Sequence, residues 1–118
     1  VIARPFTGSN GKYKLNNVVA FLDYNGLQID GNILDVKGVD NLKEKFESFG
    51  WNVQEIDGHD FAQILEALDN TDKSIKPNMI IAKTIKGKGV SFMENNASWH
   101  GKAPNDEEYN IAIKELSK

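Results

Sequence analysis

The side chains in this chain that are suited to chemistry rather than packing cluster in a few polar stretches. Both histidines stand in such stretches: His59 in Asp57-Gly58-His59-Asp60, and His100 in Ser98-Trp99-His100-Gly101. An imidazole titrates near neutrality, so each is a candidate general acid or base. For His59 a plain loop position is the simpler explanation, with Asp60 as a helix cap. His100, between a tryptophan and a glycine in a polar loop, has no core-packing reason for its place. Asn25-Gly26 follows the apolar run Val18 to Leu22 and an Asp-Tyr pair. An Asn amide oxygen with a neighbouring backbone carbonyl suits a hard cation such as Mg2+. Asn-Gly also suits any tight turn that needs positive φ, and spacing alone favours the turn. The stretch Lys83-Thr-Ile-Lys-Gly-Lys-Gly89 is glycine-rich and basic. It lacks the G-x-x-x-x-G-K-[ST] spacing of a P-loop. Residues 83–102 carry four lysines and one glutamate, which suits an anionic ligand and suits a solvated basic loop equally.

These residues need elements to hold them. Residues 18–23 form a continuous apolar run ending in a charge, residues 52–56 alternate, and Asn78–Lys83 is again continuous. Continuous apolar runs predict strands buried on both faces, as in parallel sheets. Val39, Leu42, Phe46 and Phe49 fall at helical spacing, with Gly50 as a stop. Phe61, Ile64, Leu65 and Leu68 make a second stripe, and Asp60 with Gln63 resembles a capping box at its start. Tyr109, Ala112, Ile113 and Leu116 make a third. Asn105 or Asp106 is the expected cap there, because Pro104 forbids an earlier start. The alternation predicts an α/β fold: a partial doubly wound sheet of mainly parallel strands with flanking helices. A hairpin at Asn25-Gly26 is the competing reading. It is weakened by the poor partner strand, Leu27-Gln28-Ile29-Asp30-Gly31, so a loop is expected. In open α/β sheets, ligands bind at the carboxyl ends of the strands. The segments expected there hold Asn25, Asp30, Asp57, His59, Lys86, Lys88 and His100.

The chain has 118 residues, a net charge of −3, 40% hydrophobic residues and no cysteine. One domain is expected, with residues 1–11 a loop or loose tail and 12–118 folded. The charge points to neither nucleic acid nor an anionic membrane. No apolar stretch approaches the roughly 20 residues of a membrane span. The missing cysteines exclude disulfides and thiolate chemistry. With no secretory leader read at the start, the cytoplasm is the expected compartment.

Four motifs in order, NNVVAFLDYNGLQIDG, GWNVQEIDGHD, KTIKGKGVSFMENNASWHGKAP and NDEEYNIAIKEL, resemble transketolase. The likeness is to the later part of its N-terminal, diphosphate-binding domain, above all where that half is a separate chain. It covers roughly residues 12–118. The resemblance implies thiamine diphosphate with Mg2+ or Ca2+, and transfer of a two-carbon ketol unit between sugar phosphates in the pentose phosphate pathway. Carried onto this chain, it implies that Asn25 ligates the metal by its side chain and Leu27 by its carbonyl. It implies that Ile29 packs near the cofactor rings, and that His100 touches the diphosphate and the donor substrate. Lys86 stands where the family places a residue near the cofactor, often an apolar one. Asp57 to Asp60 matches a family structural turn. The family's upstream Gly-Asp-Gly, whose Asp is another metal ligand, has no counterpart in this sequence; Thr7-Gly-Ser-Asn-Gly-Lys-Tyr-Lys-Leu15 occupies the region before Val18. Also without counterpart are the family's upstream strands with their ligand-binding histidines, and the pyrimidine-binding domain whose glutamate activates the cofactor. The expectation is a fragment that is inactive alone and works with a pyrimidine-binding domain or subunit, with self-association possible through an open sheet edge. The alternative expectation is a non-catalytic folded remnant or interaction module.

Overall fold

A computed structural model of the chain describes residues 12–13, 15–28, 31–32 and 41–117. The expected tail at 1–11, together with Ile29, Asp30 and Val39, lies outside the described residues. Three strands, β1 (Val19–Tyr24), β4 (Asn52–Asp57) and β5 (Asn78–Lys83), form a parallel sheet in the order β1-β5-β4. Asn78 stands level with Val19 and Asn52, and Lys83 level with Tyr24 and Asp57, so the strands start and stop together. The continuous apolar β5 is the middle strand, buried from Asn78 to Ala82. β1 begins one residue later than the apolar run. Val18 already takes part in the sheet's edge bonding, its carbonyl accepting from the Asn78 N–H at 2.9 Å.

Side chains alternate across the sheet, and each face has its own core. On one face Trp51, Met79 and Ile81 are buried under Leu42 and Phe46 of α1 (Leu42–Ser48), with Ala20 and Leu22 of β1 beside them. On the other, Ile56, Ile80 and Ala82 meet Ile64 and Ala67 of α2 (Phe61–Asp69). Helices on both faces of parallel strands make this a partial doubly wound α/β fold. Asn78, fully buried at the start of β5, is satisfied by the Asn52 side chain at 2.8 Å and by the carbonyls of Thr71 and Lys76 at 3.3 Å.

The helix ends follow the expected signals. Gly50 (φ 84°) closes α1: its N–H donates to the Glu47 carbonyl at 2.9 Å, and the Trp51 N–H donates to Phe46 at 3.2 Å. This paired closure needs the left-handed residue that glycine supplies, and it brings Trp51 edge-on to Phe46, ring centres 6.2 Å apart. Asp60 caps α2 by accepting from the N–H groups of Ala62 and Gln63. The expected capping box there is only half formed, because the Gln63 side chain accepts from the Asp57 N–H instead of that of Asp60. The α2 stripe is also less covered than its spacing suggests. Ile64 and Ala67 face the sheet, whereas Phe61 is 79% exposed and Leu65 61%. Asn105 caps α3 (Asp106–Leu116) in a full capping box with Glu108, both bonds 2.8 Å.

The hairpin at Asn25-Gly26 does not form. β1 pairs with β5, and a small antiparallel pair, β2 (Leu27–Gln28) with β3 (Gly31–Asn32), begins beyond the glycine. The described residues fall into two compact units. One holds β1, α1, β4, α2 and β5; the other comprises the described parts of 25–39 and 84–118. Among the described residues, no helix is long and apolar enough to cross a membrane.

Candidate functional site

Asn25 is the first residue after β1. Its Oδ1 accepts from the Leu27 N–H at 3.0 Å, which closes a side-chain-mediated turn over Gly26. Gly26 has φ +72°, and nothing lies within 4 Å of where a Cβ would stand. The turn therefore needs glycine for its backbone angle and not for space. An amide oxygen has two lone pairs. One is engaged with Leu27, and an amide oxygen can accept a second contact, from a cation or a donor.

His100 sits in the same unit as Asn25 and Leu27, at the end of a loop that is tightly built. The loop is a chain of turns. The Asn95 N–H donates to the Lys86 carbonyl at 3.0 Å, and the Met93 N–H to that of Val90 at 2.9 Å. Gly87 (φ +71°) lies against Met93 so closely that an added Cβ would stand 2.6 Å from its carbonyl oxygen. The Gly89 N–H donates to the Glu94 carboxylate at 2.9 Å. The Ser91 N–H and hydroxyl both donate to Glu115 of α3, at 2.7 Å each, which ties the loop to the helix. Asn96 caps the 3₁₀ turn Ala97–Trp99, accepting from the Ser98 N–H at 3.1 Å and its hydroxyl at 2.7 Å. His100 follows; its N–H donates to the Ala97 carbonyl at 2.9 Å and its side chain is exposed.

Asp57, Gly58, His59 and Asp60 belong to the other unit and form a turn into α2. Asp57 Oδ1 accepts from the His59 N–H, and the Gly58 N–H donates to the Lys83 carbonyl. Hydrogen bonds from Gln63 and Ala62 hold the Asp60 carboxyl below the usual Asp range. Both carboxylates thus bond within the turn and the first residues of α2. Of the four lysines in 83–102, Lys83 pairs with Glu55 at 3.2 Å and Lys102 with Glu108 at 3.5 Å. A cleft of about 500 Å³ opens beside Tyr24, Ile81, Lys83 and the first turn of α1; it includes none of Asn25, Leu27 or His100.

Sequence reasoning misses the bonds of Asn96 and Ser91. Asn96-Ala97-Ser98 carries the short-range signal of an Asx cap, which could have found the first. Ser91 and Glu115 are 24 residues apart, and no local pattern joins them.

The donor set can be tested against the implied group. Among the described residues, no three His, Asp or Glu side chains are placed to share a metal ion. Asn25 and the Leu27 carbonyl offer two neutral hard oxygens. Mg2+ is commonly held by a few protein oxygens together with phosphate and water. The set fits a cation that arrives with a diphosphate.

Residues 4–117 match the transketolase, thiamine diphosphate-binding domain family. The chain belongs to this family. It is 39% identical over 113 residues to an apulose-4-phosphate transketolase subunit of Phocaeicola vulgatus, covering 93% of this chain and 40% of that one. It is also 39% identical over 109 residues to the 6-deoxy-6-sulfo-D-fructose transketolase subunit SqwG of Clostridium sp., covering 92% of this chain and 40% of that one. Transketolase from Campylobacter jejuni superposes with a TM-score of 0.86 at 34% identity, over 94% of this chain and 17% of that one. The chain thus spans about 40% of the length of the two curated relatives it matches here. As a transketolase-family thiamine diphosphate-binding domain, its two parallel-sheet faces and its loops after β1 and β5 are parts of a shared fold.

Proposed function

We propose that residues 12–118 form part of the diphosphate-holding half of a transketolase-type transferase acting on sugar phosphates in the cytoplasm, as in the pentose phosphate pathway. Asn25 Oδ1 and the Leu27 carbonyl hold Mg2+, Ile29 packs near the cofactor rings, and the His100 imidazole donates to the diphosphate and to a substrate hydroxyl. When bound, thiamine diphosphate supplies the electron sink for transfer of a two-carbon ketol unit. The protein's part is to bind and orient. Asn25 and Leu27 fix the cation by a turn whose geometry is set before the cation arrives. His100, on a loop tied to α3, moves or holds a proton at its imidazole nitrogens.

The observation that carries this reading is the Asn25–Leu27 turn leaving a parallel strand, which sets an amide oxygen and a backbone carbonyl two residues apart in a chain of the transketolase family. The relatives named as subunits suggest the partner: a second chain carrying the pyrimidine-binding domain, without which this chain does not turn over. Self-association through a sheet edge is the other contact expected.

The test is a titration of the isotopically labelled chain with thiamine diphosphate, with and without Mg2+, followed by amide NMR. Mg2+-dependent shifts confined to residues 25–31 and 97–101 are expected. Unchanged spectra at millimolar cofactor refute the reading and leave a folded remnant or interaction module. Ketol transfer by the purified chain alone, free of contaminating enzyme, refutes the need for a partner.

A further inference from the structure

The two residues that flank the His100–Gly101 turn touch each other. Trp99 ends the 3₁₀ turn before His100, and Lys102 follows Gly101. Lys102 Nζ stands 4.0 Å from the centre of the Trp99 ring, within the range of a cation–π contact. The same indole packs on Phe92, ring centres 5.2 Å apart and planes tilted by 54°. Lys102 also reaches Glu108 Oε1 at 3.5 Å. The other oxygen of that carboxylate accepts from the Asn105 N–H at 2.8 Å, in the cap of α3. A continuous series of contacts thus runs from the loop, through Trp99 and Lys102, to the first turn of the helix.

Between these two side chains the backbone reverses sharply. The His100 N–H is held by Ala97, and Gly101 has φ +80° with open space around it. The contacts that bracket this turn are those of its two flanking side chains, Trp99 and Lys102. A lysine two residues from an exposed histidine in a basic loop would ordinarily be read as an anion ligand. Here its ammonium lies on an aromatic face and beside a carboxylate of α3, so its charge already has partners within the chain.

We propose that Trp99 and Lys102 form a staple across His100, and that Lys102 is a positioning residue for the imidazole rather than a ligand for the anion. The inference rests on the reading of His100 as a site residue. Arginine at position 102 would keep it, because a guanidinium stacks on indole and pairs with a carboxylate. Methionine keeps the length of the side chain and loses the charge.

The experiment compares the full 118-residue chain with its K102M, K102R and W99L variants. First, ¹⁵N heteronuclear NOEs are read at His100 and Gly101 without cofactor, with the amide shifts of β5 and α3 as a check on folding. K102M and W99L should lower the NOE at these two positions only, and K102R should restore it. Second, calorimetry reads thiamine diphosphate binding in Mg2+. K102M should bind roughly two- to five-fold more weakly, the scale of an exposed cation–π contact, and K102R should match the parent chain. Unchanged NOEs in K102M overturn the staple. Lost affinity in K102M with unchanged order at 100–101 also overturns it and makes Lys102 an anion ligand. If the parent chain binds no cofactor but the NOEs follow the variants, the staple stands and the cofactor reading of His100 falls.

Discussion

Asn25 and Asp60 are both short polar residues just beyond a strand or just before a helix, and their bonding sets them apart. Asp60 accepts from Ala62, from the Gln63 backbone and from the Gln63 side chain, and is committed to its cap. Asn25 Oδ1 accepts from the Leu27 N–H alone among the described residues. Substituting Asn25 by Ala should weaken Mg2+-dependent thiamine diphosphate binding by about 10-fold or more, the scale of a charge-assisted bond. Asn25→Asp keeps the turn acceptor and adds charge toward the cation, so it should retain binding; calorimetry with both variants checks this. Asp60 makes a prediction about acid. Its carboxyl is held below the ordinary Asp value, so the stability it adds is present above that value and is lost as pH falls through the lower, folded one. The amide shifts of Ala62 and Gln63 should therefore move below about pH 4, and in D60N, which keeps an acceptor without a charge, they should stay flat.

The elements were the most legible part of the sequence, because their signals are local. Asn78–Lys83 is apolar throughout its middle, and it is the strand buried on both faces. Gly50 and Asn105 mark a helix stop and a helix start, and both act through bonds to residues within five positions. Replacing Asn105 with Ala should destabilise α3 by about 1 kcal/mol, the usual cost of losing a cap, measured by chemical denaturation. Gly87→Ala should cost more, roughly 1–3 kcal/mol, because the new methyl meets the Met93 backbone at 2.6 Å and not a movable side chain. The same melt, read together with the amide shifts of residues 84–101, should show the damage confined to that loop. The α2 stripe was legible as a helix and not as a surface. Its spacing put Phe61, Ile64, Leu65 and Leu68 on one broad face, yet only Ile64 of these packs on the core.

For the whole chain, exposed apolar side chains lie in both units: Phe21, Phe61, Leu65 and Leu68 in the first, Tyr109, Ile113 and Leu116 of α3 in the second. Gln63, Glu66 and Asn70 line a cleft with Gln54 and Ile56 on the β4 side of α2. Phe61, Leu65 and Leu68 are on the opposite flank, by helical spacing. Val19 and Phe21 of β1 share the α2-side face of the sheet with Ile80, and Phe21 is 50% exposed. Among the described residues, β1 pairs with β5, at one end of the strand order β1-β5-β4, and end strands are where a further strand can add. Concentration-dependent self-association of the isolated chain is the expected outcome in sedimentation velocity. The double variant F21K/L65E should sediment as a monomer at every concentration, and a strictly monomeric parent chain would remove the expectation.

By itself the sequence determined the three strands of the parallel sheet and the cap residues of α2 and α3, because each depends on residues within a few positions; the short pair β2–β3 was not read. Backbone φ at a glycine, an N-cap oxygen and a run of apolar side chains act over one turn or one pleat. The order of four motifs was likewise enough to reach the transketolase family. Tertiary structure decided the rest: that the last strand in sequence lies in the middle, that Ser91 meets Glu115 across 24 residues, that one flank of α2 is bare, and that Lys102 faces an indole. Those outcomes depend on which surfaces meet once the chain has folded back on itself. Packing between distant residues is set by the whole fold's burial and leaves no short-range pattern to read.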